Sequence, residues 1–300
     1  MTEEAYRKYR KAGEILRKAM KYALDNIEEG EPLLKMANNI ERLIRRYNAM
    51  PAFPVNISQN NIAAHYSPGI NDRSVILKGA VVKVDIGVQV DGYIADAAVT
   101  ISFNPSYERL VKAAKEALSK VQNILRPGVP LRNAGKIVKD VAEKWGVRPI
   151  ANLSGHKVER YNLHAGKTVP NVPSWDISRA EEGEVYAVEP FMTNGEGLVV
   201  EGGEGHIYRV KSMKKVKDKE LVEALNLIWR RYKSLPFSER WLLDAFEDPL
   251  DIIKRLVQKS RIYSYPALLE RSGGIVTQYE DTFIVHDKEA EALVRVINLV

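Results

Sequence analysis

Residues 81–102 read VVKVDIGVQV, DG, YIADAAVTIS, and no other segment narrows the possible folds as much. Valine and isoleucine alternate with other residues as far as Val90, the period-two pattern of a strand with one apolar face. Asp91-Gly92 is a strong hairpin turn, and residues 93–102 return as the second strand. Val82, Val84, Ile86, Val88 and Val90 then share one face, and Asp85 lies on the other. With this turn Val90 pairs with Tyr93, which sets Asp85 opposite Ala98 and Asp96 opposite Gly87. The two aspartates project from one face as diagonal neighbours, roughly 7–8 Å apart at Cα. Carboxylates forced together repel unless a cation sits between them. Paired metal ions, about 3.5–4 Å apart in two-metal hydrolases, fit such a gap. A half-exposed antiparallel sheet with both aspartates in water accounts for the hairpin equally well.

The rest of the chain restricts what could fill that gap. At 300 residues and 45% hydrophobic, the chain can bury a substantial core, and 28% charged residues argue against global disorder. The absence of cysteine excludes disulfides, thiolate catalysis and Cys-ligated zinc, so any metal is held by His, Asp or Glu. The charge-dense N-terminal segment holds no apolar run of signal-peptide length, and no run of about eighteen apolar residues occurs. The expectation is a soluble, cytoplasmic protein with no membrane span. A net charge of +6 suits contact with an anionic surface such as ribosomal RNA, and serves solubility alone just as well.

Helical spacing predicts helices over residues 3–28 and about 33–48, the second opened by Glu31-Pro32. Asn56 to Asn61 reads as a polar loop leading to Ala63-Ala64-His65-Tyr66. Further helices are expected at about 105–126, with Asn104 as cap, and at about 132–145, ended by Gly146. Residues 184–192 read as a strand. Residues 217–271 read as helical, with one helix marked by Leu221, Leu225, Ile228 and Tyr232 and shorter ones around Trp241 and Ile252–Leu256. β-Branched runs resume at 274–286 and 291–299. The pattern implies an α+β domain, 1–216 and 272–300, interrupted by a helical insert, 217–271.

Three further stretches carry chemistry. His156 and His164 stand eight residues apart, and a neutral imidazole is both the commonest metal ligand and the commonest acid–base group. Glu189 ends the apolar run Val185-Tyr186-Ala187-Val188, and Glu280 ends Ile275-Val276-Thr277-Gln278-Tyr279. A glutamate within a central strand is costly to bury unless paired or metal-bound. Each of these residues also has an ordinary reading as a loop, cap or edge-strand residue.

Taken together, Val84-Asp85-Ile86-Gly87, Asp91 to Asp96, Ser154-Gly155-His156, Glu189 and Gln278-Tyr279-Glu280 resemble the methionine aminopeptidases. Pro51-Ala52-Phe53-Pro54, Ala63 to Tyr66, Asn152 to Lys167 and the insert with Ser234 to Phe237 and Arg240-Trp241-Leu242 resemble the type 2 branch of archaea and eukaryotes. The likeness covers essentially the whole chain. It implies a pita-bread fold and two divalent ions, with cobalt, manganese, iron and zinc all compatible with the donors. Asp85, Asp96, His156, Glu189 and Glu280 would be the ligands, with Asp96 and Glu280 bridging and Glu189 also the general base. His65 and His164 would contact the scissile amide, and Phe53 and Tyr265 would line the methionine pocket. The implied substrate is the N-terminal methionine of nascent polypeptides, the ribosome is a candidate transient contact, and a monomer is the default.

One position departs from the pattern: a histidine commonly follows the last glutamate, and here it is Asp281. In a strand Asp281 faces away from Glu280, so it is not expected to replace a ligand. His206 and His286 match no role and read as surface or structural residues. Two other functions remain open to the sequence. One is a proline-directed aminopeptidase or dipeptidase of the same fold, and the other a metal-free pita-bread protein that binds ribosomes or nucleic acid.

Overall fold

The computed structural model of the protein describes residues 1–299. The hairpin forms in the expected register: Val81–Val90 pairs with Tyr93–Ser102, Asp85 opposite Ala98 and Gly87 opposite Asp96. Asp91 and Gly92 both take left-handed φ, 51° and 88°, as a type I′ turn requires. Both faces of this hairpin are covered. The helix Glu3–Asn26, capped by the Thr2 hydroxyl, packs on the valine face through Leu16, Ala19 and Met20. Its Gly13 allows the closest approach of the C-terminal segment, since a Cβ there would lie 2.7 Å from Leu293 Cβ. The helix Leu33–Arg46 packs beside it.

A second sheet runs Ala290–Ala292, Asp281–Val285, Val185–Val188, Ser154–Val158, Thr168–Pro170, all antiparallel. The expected strand 184–192 is broken after Val188. Phe191–Thr193 joins a different sheet with Val276–Gln278 and Arg148–Pro149, because Pro190 offers no N–H to continue the first ladder. Helices Glu108–Gln122 and Arg132–Trp145 pack against each other beside these strands. The first follows a 3₁₀ turn, Pro105–Tyr107, with Ser106 N–H bonded to the Asn104 side chain; the second ends at Gly146 with φ 62°.

Two further readings of the sequence are corrected. Asn56–Gln59 is a strand, not a loop, paired with Val82–Asp85. Its polar side chains hide the strand signal because they serve buried backbone: Gln59 donates to Val75 O and accepts from Leu77 N–H. The helical character beyond residue 217 ends at Gln258, after helices Lys219–Tyr232 and Pro249–Gln258 and the 3₁₀ turn Glu239–Leu242. Ile262–Glu270 is a strand along Val199–Val210, and Pro266 is accommodated opposite Glu204 where the ladder bulges. The helices of this region gather around Tyr208, Val210, Leu221, Ile228, Phe237 and Leu256 as a core of their own.

His206 and His286 are structural in placement. His286 Nε2 lies 3.1 Å from Glu291 Oε2. His206 Nδ1 lies 3.1 Å from the fully buried Glu239, tying the strand to the helical region. The Glu239 carboxylate beside the ring raises the His206 pKa above its ordinary value. A raised folded-state pKa stabilises fully below the unfolded value, about 6.5, and that stabilisation is lost as pH rises through the folded value. His206→Gln should therefore lower the urea midpoint clearly at pH 6 and little at pH 9. Equal losses at both would show that the ring acts by packing alone.

Candidate metal centre

The two halves of the chain meet along the outer edge of the hairpin. Ala98 and Glu280 exchange backbone hydrogen bonds of 3.2 and 2.9 Å. Thr282 Oγ1 bonds both the N–H and the carbonyl of Asp96 at 2.7 Å. Thr100 Oγ1 does the same for Gln278, donating to its carbonyl at 2.7 Å and accepting from its N–H at 2.8 Å. These contacts set residues 278–282 antiparallel beside 96–100. Asn56, Asp85, Ala98 and Glu280 then form one row across four neighbouring segments, with side chains on a common face. Ala98 is small, and the space above it receives the carboxylates. From the second sheet His156 enters the same space from opposite Ala187. Glu189 sits where that strand breaks, its backbone held by Asn171, whose Nδ2 donates to both Leu153 O and Glu189 O at 3.1 Å.

Asp96, His156 and Glu280 each present a ligand atom within 4.8 Å of the others, all buried. His156 Nε2 lies 3.8 Å from Asp96 Oδ2 and 3.8 Å from Glu189 Oε1. Gln278 Nε2 donates to Glu280 at 2.9 Å and to Glu189 at 3.3 Å, orienting both. Burial pushes Asp85 up to about 7. Burial first, then repulsion from neighbouring carboxylates, holds Asp96, Glu189 and Glu280 well above the ordinary range. Burial lowers His156 to about 3, leaving a neutral imidazole suited to ligation. Asp85 Oδ1, Asp96 Oδ1, His156 Nδ1 and Glu280 Oε1 are buried without a hydrogen-bond partner. Buried polar atoms left unpaired are expensive, and oxygen and imidazole donors fit a divalent cation.

The other expected site residues line the same cleft: Phe53, His65, His164 and Tyr265, with Ala64, Leu163, Ile207 and Pro236 completing the wall. His65 holds a left-handed φ of 61°, and its ring meets Tyr265 edge-on at 5.4 Å. Burial lowers its pKa to about 4, so it is a neutral donor. His164 lies 4.4 Å from the His156 ring. Its loop is pinned to the hairpin tip, Arg160 donating to Asp91 O and Tyr161 to Gly92 O, both at 2.8 Å, and the helical region adds a bond from Ser234 to Tyr161 O. Asp281 turns away as expected. It accepts from Val294 and Val296 N–H at 3.0 and 2.9 Å and so ties down the C-terminal segment.

Phe53 packs against Gly87, where a Cβ would come within 2.3 Å of the ring. Gly87→Ala should displace Phe53, cost about 1–3 kcal/mol by overpacking, and lower kcat/KM for methionyl peptides at least tenfold. Unchanged kinetics and urea midpoint would remove Phe53 from the pocket wall. Asn56 was missed in the sequence. Its Nδ2 donates to Pro54 O at 2.9 Å, which leaves Oδ1 in the cleft as a buried acceptor without a partner. Only its strand register with Asp85 could have revealed it, and that needs the fold.

Unpaired carboxylates around a neutral imidazole, enclosed by two covered sheets, define a metal-dependent hydrolase centre. The chain belongs to metallopeptidase family M24, whose model matches residues 7–287. It is 40% identical to a methionine aminopeptidase of Methanocaldococcus jannaschii over 97% of this chain and 99% of that one. Among solved structures, a thermophilic Arx1 superposes with a TM-score of 0.82 at 16% identity, covering 98% of this chain and 91% of that one. The crystal structure of methionine aminopeptidase from Rickettsia prowazekii superposes with a TM-score of 0.71 at 19% identity, covering 98% of both. The fold is the pita-bread fold, α+β as the sequence implied. Among the described residues no helix is long and apolar enough to cross a membrane.

Proposed function

We propose that this chain hydrolyses the peptide bond after an N-terminal methionine, with two divalent ions held by Asp85, Asp96, His156, Glu189 and Glu280. One observation carries this reading: unpartnered metal donors, a pair of neutral histidines and an apolar pocket open into the same cleft. Divalent ions bound there would supply a water of lowered pKa and polarise the scissile carbonyl. Glu189, half-buried beside His156, takes a proton from the attacking water and returns it to the departing amine as the C–N bond breaks. His65 and His164 donate to the carbonyl oxygen as it gains negative charge. Asn56 Oδ1 accepts from the substrate's α-amino group. Phe53, Ile207 and Tyr265 take the unbranched thioether side chain.

Pro236 brings the helical region, read as an insert subdomain, into the pocket wall. The donors all come from one chain, so a monomer would carry a complete site. Nascent polypeptides in the cytoplasm are the natural substrates, and the net charge of +6 supports transient contact with the ribosome. The test is hydrolysis of Met-Ala and Ala-Pro peptides by chelator-treated protein resupplied with cobalt, manganese, iron or zinc. Metal-restored cleavage of Met-Ala alone is expected. Preference for Ala-Pro, or inactivity with every metal, would overturn the reading.

A further inference from the structure

The pocket wall does not stop at the pocket. Ile207 pairs with Tyr265, and two residues outward on the same face Arg209 pairs with Tyr263. The opposite face, Tyr208, Val210 and Ile262, is buried in the helical region's core, so this ladder is rigidly backed. Tyr263 and Tyr265 meet edge-on at 4.9 Å, and the Arg209 guanidinium lies 5.6 and 6.0 Å from their rings. Arg209 is exposed, and Tyr263 is 37% exposed. Arg209 is also close enough to His164, at the other lip, to depress its pKa after burial has done so. Among the described residues no carboxylate lies within ion-pair distance of Arg209. A cation oriented by two aromatic rings and left without an anion stands at the cleft mouth.

We propose that Arg209 and Tyr263 form a subsite for the third residue of the polypeptide substrate and select an acidic side chain there. This rests on the hydrolytic reading above. Two residues along a strand span roughly 6.8 Å, the same as two residues of an extended substrate. A substrate that leaves the methionine pocket along this ladder, its methionine at Ile207 and Tyr265, sets residue three beside Arg209 and Tyr263. Tyr263 supports the side-chain stem, and the guanidinium donates to the carboxylate.

The test compares kcat/KM for Met-Ala-Glu-Ala-amide and Met-Ala-Lys-Ala-amide, with Met-Ala-amide as reference. The wild-type ratio of Glu to Lys peptide should be about fivefold at low salt and should shrink in 0.5 M salt, as for an exposed ion pair. Arg209→Lys should keep most of the ratio, Arg209→Ala should bring it near one, and Arg209→Glu should invert it. Taking the ratio within each variant cancels any effect passed through His164 to the shared chemical step. A wild-type ratio near one with Met-Ala-amide still cleaved would overturn the subsite alone, as would a ratio untouched by Arg209→Glu. Failure to cleave Met-Ala-amide would overturn the hydrolytic reading and the subsite with it.

Discussion

Glu189→Gln should leave the protein folded and reduce turnover of a Met-Ala peptide by roughly 10²- to 10⁴-fold, the range for loss of a general base. Glutamine preserves the shape of the side chain but cannot take a proton from water. Burial and the neighbouring Asp85 already hold the Glu189 carboxyl well above its ordinary pKa, so the site is under strain without cations. Removing one of these crowded acids should then make the metal-free protein no less stable, or slightly more, in urea unfolding. Metal content measured beside turnover separates two contributions. Loss of activity in fully loaded protein assigns the proton transfer, and loss in proportion to metal assigns only ligation. Turnover within threefold of wild type would end the assigned role.

The second large effect is on stability. Arg240 and Glu41 form a buried pair, with hydrogen bonds of 2.9 and 2.8 Å and side chains 3% and 1% exposed. Glu41 also accepts from Val55 N–H and Trp241 Nε1, and Arg240 also reaches Ser67, Pro68 O and Asn38. The pair joins the helix Leu33–Arg46 to the helical region and to the segments on either side of His65. Arg240→Ala should cost about 3–5 kcal/mol, because a buried charge is left without its partner. The double variant Arg240→Met, Glu41→Leu should recover much of that loss. Additive losses in a double-mutant cycle would mean that the two act independently.

Some of this protein was legible residue by residue. The 81–102 hairpin was, down to its register, because strand alternation and an Asp-Gly turn are local signals. The end of the helix at Gly146 was legible for the same reason. Asn56–Gln59 was not, because its buried polar groups bond backbone some sixteen to eighteen residues away. Ile262–Glu270 was not, because Pro266 breaks strand periodicity and is tolerated only where the partner strand bulges. Ile207 joins the cleft with no sequence signal, since an apolar residue looks the same whether it faces a core or a pocket.

The sequence by itself determined that Asp85 and Asp96 share a face, and its resemblance supplied the identity of the other donors. Only the tertiary structure decided that the donors meet. Ala98 and Glu280 pair although they stand 182 positions apart in the chain, with Thr100 and Thr282 bonding the backbone on either side. Such long-range pairing depends on the helix Glu3–Asn26 and the second sheet burying their apolar faces together. That burial is a property of the whole core, which no short stretch of sequence contains.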